Sequence, residues 1–296
     1  MKQSLIVVLG ILLSAGMGIA QEKKHYHVMP IDEQQAVKLY VNASSVACRI
    51  NSTYTMHAVS IYGYPENDSF NPITVNRVRQ GKRIVKLNFE DESEDFTSSI
   101  SGRMFSGADK NAEKPWHVYL SRSIPFDLHL RYGMGNSAVD LSGLAVQNCK
   151  INTGSADVRV GYFANVPNKV AMDTFYAKVD LGVLELDQLN LSHAGEILAD
   201  VGFGKMLMRF AERSGQKCHV NASVGAGSLE VLLENPTIPV IVHINDSPLC
   251  RIKMREFFTE IKPNVFVNDS YREDDPELIT FNIDVAMGNV SFRTKD

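Results

Sequence analysis

Apolar and polar residues alternate along most of this chain. Val37, Leu39 and Val41 are separated by polar neighbours, as are Val46, Cys48 and Ile50, and again Val85, Leu87 and Phe89. A period of two places successive side chains on opposite faces of an extended backbone, so each run predicts a half-buried strand. Helical spacing is hard to find. Ile31 to Val37 could form a turn of helix. After Ser247-Pro248, Cys250, Ile252 and Met254 alternate with Arg251, Lys253 and Arg255, which favours strand over the helix that the proline would start. The expected class is all-β.

Aligning the second half against itself sharpens this. Ala226-Gly227-Ser-Leu-Glu-Val231 overlays Thr153-Gly154-Ser-Ala-Asp-Val158, Leu181-Gly182-Val-Leu-Glu-Leu186, Phe203-Gly204-Lys-Met-Leu-Met208 and Met287-Gly288-Asn-Val-Ser-Phe292, with Met134-Gly135 opening a looser copy. Gly135, Gly154, Gly182, Gly204, Gly227 and Gly288 are 19, 28, 22, 23 and 61 residues apart, and the last gap has room for about three degenerate units. Strand, tight glycine turn and strand, repeated every 20 or so residues, are the coils of a parallel β-solenoid. The glycines are expected at the corners, where positive φ is needed. Leu184, Leu186, Val201, Met206, Met208, Val224, Leu229 and Val231 would form interior ladders, with Lys205, Arg209 and Glu230 facing water.

Three segments are expected. Residues 1–20 read as a signal peptide: Lys2, an apolar run from Leu5 to Leu13, then small residues ending at Gly18 and Ala20. This predicts an exported protein, in the periplasm or on the cell surface, with no membrane span left after cleavage. Residues 21–114 read as an N-terminal β region ending in a Ser/Gly/Asp/Lys-rich stretch from Thr97 to Lys114. Residues 115–296 read as the solenoid, sharing one core with the first region if the two pack together.

Composition excludes several function classes. Thirty Lys and Arg against 34 Asp and Glu give a formal net charge of −4. The one cationic cluster, Arg77 to Arg83, straddles Gln80-Gly81 and reads as a hairpin turn, so nucleic acid is not an expected partner. The chain holds no nucleophile elbow, zinc-protease helix, phosphate loop or dinucleotide fingerprint, and an enzyme is not expected. Cys48, Cys149, Cys218 and Cys250 could form two disulfides in any of three pairings, or stay as buried thiols, and their spacing fits no zinc pattern. The His25-Tyr-His27 pair reads as frayed terminus. The acidic clusters Glu90 to Asp95 and Glu273 to Glu277 lack the spacing of calcium loops and read as solvated. No cofactor or metal is predicted. Tyr62 and Tyr64, at alternate strand positions, are the candidate glycan contacts.

The run Trp116 to Leu130 (WHVYLSRSIPFDLHL), followed by Tyr132-Gly-Met-Gly135, Val139-Asp-Leu-Ser-Gly-Leu144 and Asn152-Thr-Gly-Ser-Ala-Asp-Val158, resembles the bacterial putative-adhesin or "toast-rack" family. The resemblance covers about residues 115–235. It implies a parallel β-solenoid, offers no catalytic residues, and has relatives among envelope stress-sensing proteins. The function expected is a non-catalytic binding or scaffold module of the bacterial cell envelope, adhesin-like, with a protein or glycan partner and exposed end coils open to self-association. A stress sensor is the first alternative, and a carbohydrate-active β-helix enzyme the second.

Overall fold

The computed structural model describes residues 23–29, 36–65, 67, 69–90, 114–255 and 257–295. The predicted leader, most of the possible helical turn at 31–37, nearly all of the acidic run at 90–95 and almost the whole 97–114 stretch lie outside these residues. No α-helix occurs among the described residues, and one 3-10 turn, Leu189–Ser192, is present.

Two large sheets, mostly parallel, lie face to face. A typical coil sends one strand through the second sheet, turns, and sends the next through the first. Four coils follow one another in chain order: β8–β9 (Pro125–Tyr132, Asn136–Asp140), β10–β11 (Ala145–Thr153, Asp157–Gly161), β12–β13 (Met172–Val179, Val183–Asp187) and β14–β15 (Ala194–Val201, Lys205–Phe210). Coil β16–β17 (Cys218–Val224, Ser228–Leu233) follows in the same register. The interior ladder is as the alternation predicts: Leu184, Leu186, Val201, Met206, Met208, Val224, Leu229 and Val231 are all buried. Burying each such side chain contributes roughly 1.5–3 kcal/mol.

At both ends of the stack, chain order and spatial order part company. β2–β3 (Val37–Ala43, Cys48–Thr53) slots between β8–β9 and the outer strands β6 (Lys82–Asn88) and β7 (Trp116–Ser121). Strands from before and after residue 115 therefore share both sheets and one core. At the other end, β22–β23 (Ile279–Val285, Asn289–Thr294) lies directly on β16–β17, while β18–β19 (Val240–Asn245, Arg251–Met254), earlier in sequence, packs outside it. The 61-residue gap between Gly227 and Gly288 is thus an excursion, since Gly288 stacks directly on Gly227. The excursion builds one outer coil and a hairpin, β20 (Phe258–Lys262) with β21 (Val265–Asn268).

Antiparallel pairs close three of the four sheet edges, and β19, parallel to β23, forms the fourth. β1 (Lys24–Val28) and β4 (Val59–Gly63) extend the first sheet beyond β7, and β5 (Ile73–Arg79) pairs with β6 at the edge of the second. The Gln80-Gly81 turn has φ of 51° and 75°, the left-handed pair of a tight hairpin. His25 and His27 sit on β1, a paired strand rather than a frayed end.

The turn glycines serve a different purpose from the one expected. Gly135 alone among the six has positive φ, at 84°. At Gly182, Gly204, Gly227 and Gly288 a Cβ would stand 2.1, 2.4, 2.3 and 2.6 Å from a carbonyl oxygen of the coil beneath. Stacking, not turn conformation, excludes a side chain there. Gly154 is not their equivalent: Asp157 pairs with both Asn136 and Val183, so Ala156 holds the position of Gly135 and Gly182, and Gly154 stacks on Gly133. The overlay was two residues out, a slip that keeps every side chain on its own face and so leaves the alternation intact.

Gly182→Ala should therefore lower unfolding free energy by about 1–3 kcal/mol. Gly195→Ala, whose Cβ would meet nothing within 4 Å on strand β14, should raise it by about 0.5–1 kcal/mol. Chemical denaturation of the two variants measures both, and equal effects would contradict stacking as the cause.

Candidate functional site

The outward face of the first sheet carries the richest chemistry. Parallel register puts like positions of neighbouring coils about 4.8 Å apart, so like charges in adjacent coils would repel; here carboxylates meet cations of the neighbouring coils instead, directly where Arg159 lies opposite Glu185 and on the diagonal where Glu230 lies opposite Leu207 and Ser291. Asp187 on β13, 5% exposed, is held between Arg159 of the coil before and Arg209 of the coil after. Arg209 also reaches Glu185 at 3.2 Å. Two coils further on the arrangement recurs: Glu230 on β17, 7% exposed, lies between Lys205 at 3.0 Å and Arg293. Glu230 was expected to face water, but its cationic neighbours cover it. Partial burial opposes the charge on Arg209, and its hydrogen bonds to Asp187 and Glu185 outweigh that, so its pKa rises.

Above this network runs a shallow groove of about 600 Å³ lined by Arg159, Phe163, Glu185, Asp187, Gln188, Arg209, Ala211 and Glu234. Phe163 is part of the lining, with the Arg159 guanidinium 4.8 Å from its ring centroid. The walls thus offer fixed donors, fixed acceptors and one aromatic ring. Arg159, Glu185, Asp187 and Phe163 were missed from sequence. The available signal was opposite charge at, or two positions from, the same site of the neighbouring coil, and it becomes readable only once the register is right.

At the β1 end, the same face holds a histidine and tyrosine patch. His25 stacks on Tyr62 with centroids 3.8 Å apart, His27 stacks on His57 at 4.1 Å, and Tyr62 meets Tyr119 edge-on at 5.5 Å. Tyr64 lies beyond β4 with the Lys114 ammonium 4.1 Å from its ring centroid. The two candidate tyrosines thus have different neighbours, and a ring face of Tyr62 is already covered by His25. Trp116 is core, packed against Phe89 at 4.9 Å.

All four cysteines are free, with Cys48, Cys149 and Cys218 buried. Burial pushes the Cys149 and Cys218 thiols up to about 12 and Cys48 higher still, far from the range of a reactive thiolate. In the acidic run at 273–277, Asp275 and Glu277 clamp Arg213, with Asp275 at 2.8 Å. A backbone N–H from Glu277, then Arg213, hold the Asp275 carboxyl below its usual value. No cluster of three or more metal-ligating side chains occurs among the described residues.

These features define a two-sheet parallel β-solenoid with a polar, groove-bearing face. The chain belongs to the family described as the N-terminal domain of toast_rack (DUF2154), whose model matches residues 20–186. Among curated proteins, none matches. Similar solved structures include a putative cell adhesion protein from Clostridium sporogenes, 16% identical, covering 93% of this chain and 99% of that one with a TM-score of 0.44. A putative adhesin from Bacteroides fragilis is 11% identical over 92% and 96% of the two chains, TM-score 0.34. A putative lipid binding protein from Parabacteroides distasonis is 9% identical over 92% and 96%, TM-score 0.37.

The histidines give the face a pH dependence. Desolvation, then the charges of His27, His57 and Lys23, hold His25 below the ordinary imidazole value of 6.5. Desolvation and then His57 do the same for His27, and desolvation, Arg49 and Lys23 for His117. Their unfolded forms take up protons as pH drops past that value while the folded forms resist. Stability present above about pH 6.5 is therefore lost as pH falls through the lowered folded values. The melting temperature should fall between about pH 7.5 and about pH 5.5, and His25→Gln with His27→Gln should flatten the fall. An unchanged slope in the double variant would remove these histidines from the account.

Proposed function

We propose that this protein is an exported, non-catalytic binding module of the bacterial cell envelope, adhesin-like, and that it takes a glycan in the groove on its first sheet. The observation that carries this reading is the groove itself: Arg159, Arg209 and Gln188 present donors, Glu185 and Glu234 present acceptors, and Phe163 offers an apolar ring edge or face. Hydroxyl-rich ligands are recognised by such fixed polar pairs beside an aromatic. Each polar group stands on a hydrogen-bonded coil or its adjoining turn, so little ordering entropy is lost on binding. Export is supported by the leader-like order of residues 1–20, and the envelope setting by the family.

A non-catalytic role is supported by the state of the groups a hydrolase or transferase would need. The Asp187 carboxylate is shared by two guanidiniums, and the described thiols in the core are held protonated by burial.

Glycan-array screening, including cell-wall fragments, tests the reading. The protein should retain a defined subset of sugars, and Arg159→Ala with Gln188→Ala should weaken retention by about tenfold, the loss of one or two charge-assisted or neutral hydrogen bonds. Retention of no glycan, or equal retention by the variant, would overturn it. Capture of a protein alone through the same residues would transfer the face to a protein partner.

A further inference from the structure

The turn from each strand of the second sheet into the first places one residue at the tip. Backbone hydrogen bonds identify the equivalent positions: the N–H groups of Met134, Leu181, Phe203 and Met287 each donate to a carbonyl at the turn of the coil beneath, and Arg251 donates to Gly288, which puts Leu249 directly over Met287. Five of these tips are large and apolar, and all are exposed: Met134 43%, Leu181 64%, Phe203 74%, Met287 58% and Leu249 71%. Ser155 and Ala226 hold the two intervening tips.

From Met134 to Leu249 the tips span seven coils, about 29 Å at roughly 4.8 Å per coil. The result is a convex ridge, one side chain wide, standing on a rigid backbone ladder. Exposure this high means that packing on their own protein explains little of the choice of Leu, Phe and Met at these positions. A second copy is a poor occupant, because a strip about 29 Å long and one side chain wide falls well short of the roughly 800 Å² per partner of a stable interface. A convex ridge also lacks the concavity that holds a small molecule. Tips on a line suit a planar apolar boundary.

We infer that this ridge seats the protein on a lipid bilayer, with Leu181, Phe203, Met287 and Leu249 entering the headgroup–acyl boundary. The residues flanking the ridge mix signs: Lys178 pairs with Asp180 at 3.3 Å, and Lys205 with Glu230 at 3.0 Å. Apolar insertion rather than attraction to anionic lipid therefore drives attachment, and neutral bilayers are bound as well as anionic ones. The groove lies toward the opposite ends of the same strands, at Phe163, Gln188, Ala211 and Glu234. Its nearest lining residue, Glu185, is four residues along the chain from Leu181, about 13 Å at roughly 3.3 Å per residue, and its far end lies beyond the strand, so a seated molecule presents the groove away from the membrane.

Vesicle co-sedimentation tests this with phosphatidylcholine vesicles and with vesicles enriched in phosphatidylglycerol. The protein should sediment with both to a similar extent. Leu181→Ser with Phe203→Ser should bind about tenfold more weakly or worse, and Leu249→Lys, at a single exposed tip, should also weaken binding while leaving circular dichroism unchanged. Wild-type protein that stays in the supernatant with both vesicle types would overturn the proposal, as would binding to the anionic vesicles alone. Unaltered vesicle binding by the tip variants would do the same, and so would a dimer in sedimentation velocity that those substitutions abolish.

Discussion

The inter-coil backbone ladder is the constraint from which the rest of this molecule follows. A parallel coil can satisfy its N–H and C=O groups only by lying in register about 4.8 Å from the next. That spacing puts every residue beside its counterpart in the neighbouring coil. Three features of the sequence answer to it. Interior positions repeat apolar residues, because like stacks on like. At the corner before the first-sheet strand, carbonyl oxygens lie so close to the next coil that Gly182, Gly204, Gly227 and Gly288 leave no space for a Cβ. On the outward face, where stacked like charges would repel, carboxylates meet cations of the neighbouring coils, and Asp187 and Glu230 each sit between cations from both sides.

A stack of identical layers leaves two edges on each sheet, and edges invite further pairing. Here the chain crosses over itself at both ends. β2–β3 and β22–β23 lie inside the stack, and later or earlier segments close over them. The outermost strands carry cations, Arg77 and Arg79 on β5, Arg251 and Lys253 on β19, and Lys262 on β20, which weigh against edge-to-edge addition of another copy. The ion pairs of Arg213 with Asp275 and Glu277 tie the returning segment to the turn after β15. With its ends closed in this way, the solenoid presents its long faces and its turn edges for binding, and the groove and the apolar ridge occupy opposite margins of one sheet.

Much of the fold was legible because strands in a solenoid are local and repetitive. Alternation located the strands, and the recurring Gly-centred turn located most coils. The buried ladder from Leu184 to Val231 followed without knowledge of contacts. Gly154 shows the limit: a two-residue slip preserves the inward and outward faces, so only the neighbouring coil's pairing reveals that Ala156 is the stacked residue. The place of β22–β23 was hidden for a related reason. Strand pattern encodes which face is buried but not which coil is the neighbour, and an insertion of one layer changes no local periodicity. The groove was hidden because it is assembled from four coils and the turns that follow them; Phe163, Glu185, Arg209 and Glu234 have no motif in common. Tyr62 and Tyr64 were found by alternation, yet His25, from a strand taken for a frayed end, occupies a face of one of them.

The coil β22–β23, last in the chain, is an interior layer of the stack. Hydrogen–deuterium exchange of the native protein, read by mass spectrometry, checks this placement. Peptides covering β22 and β23 should exchange as slowly as those covering β14 and β15, because partners hold them on both sides. Rapid exchange of β22 and β23, with β16 and β17 still protected, would place the C-terminus on a frayed end and contradict the architecture described above.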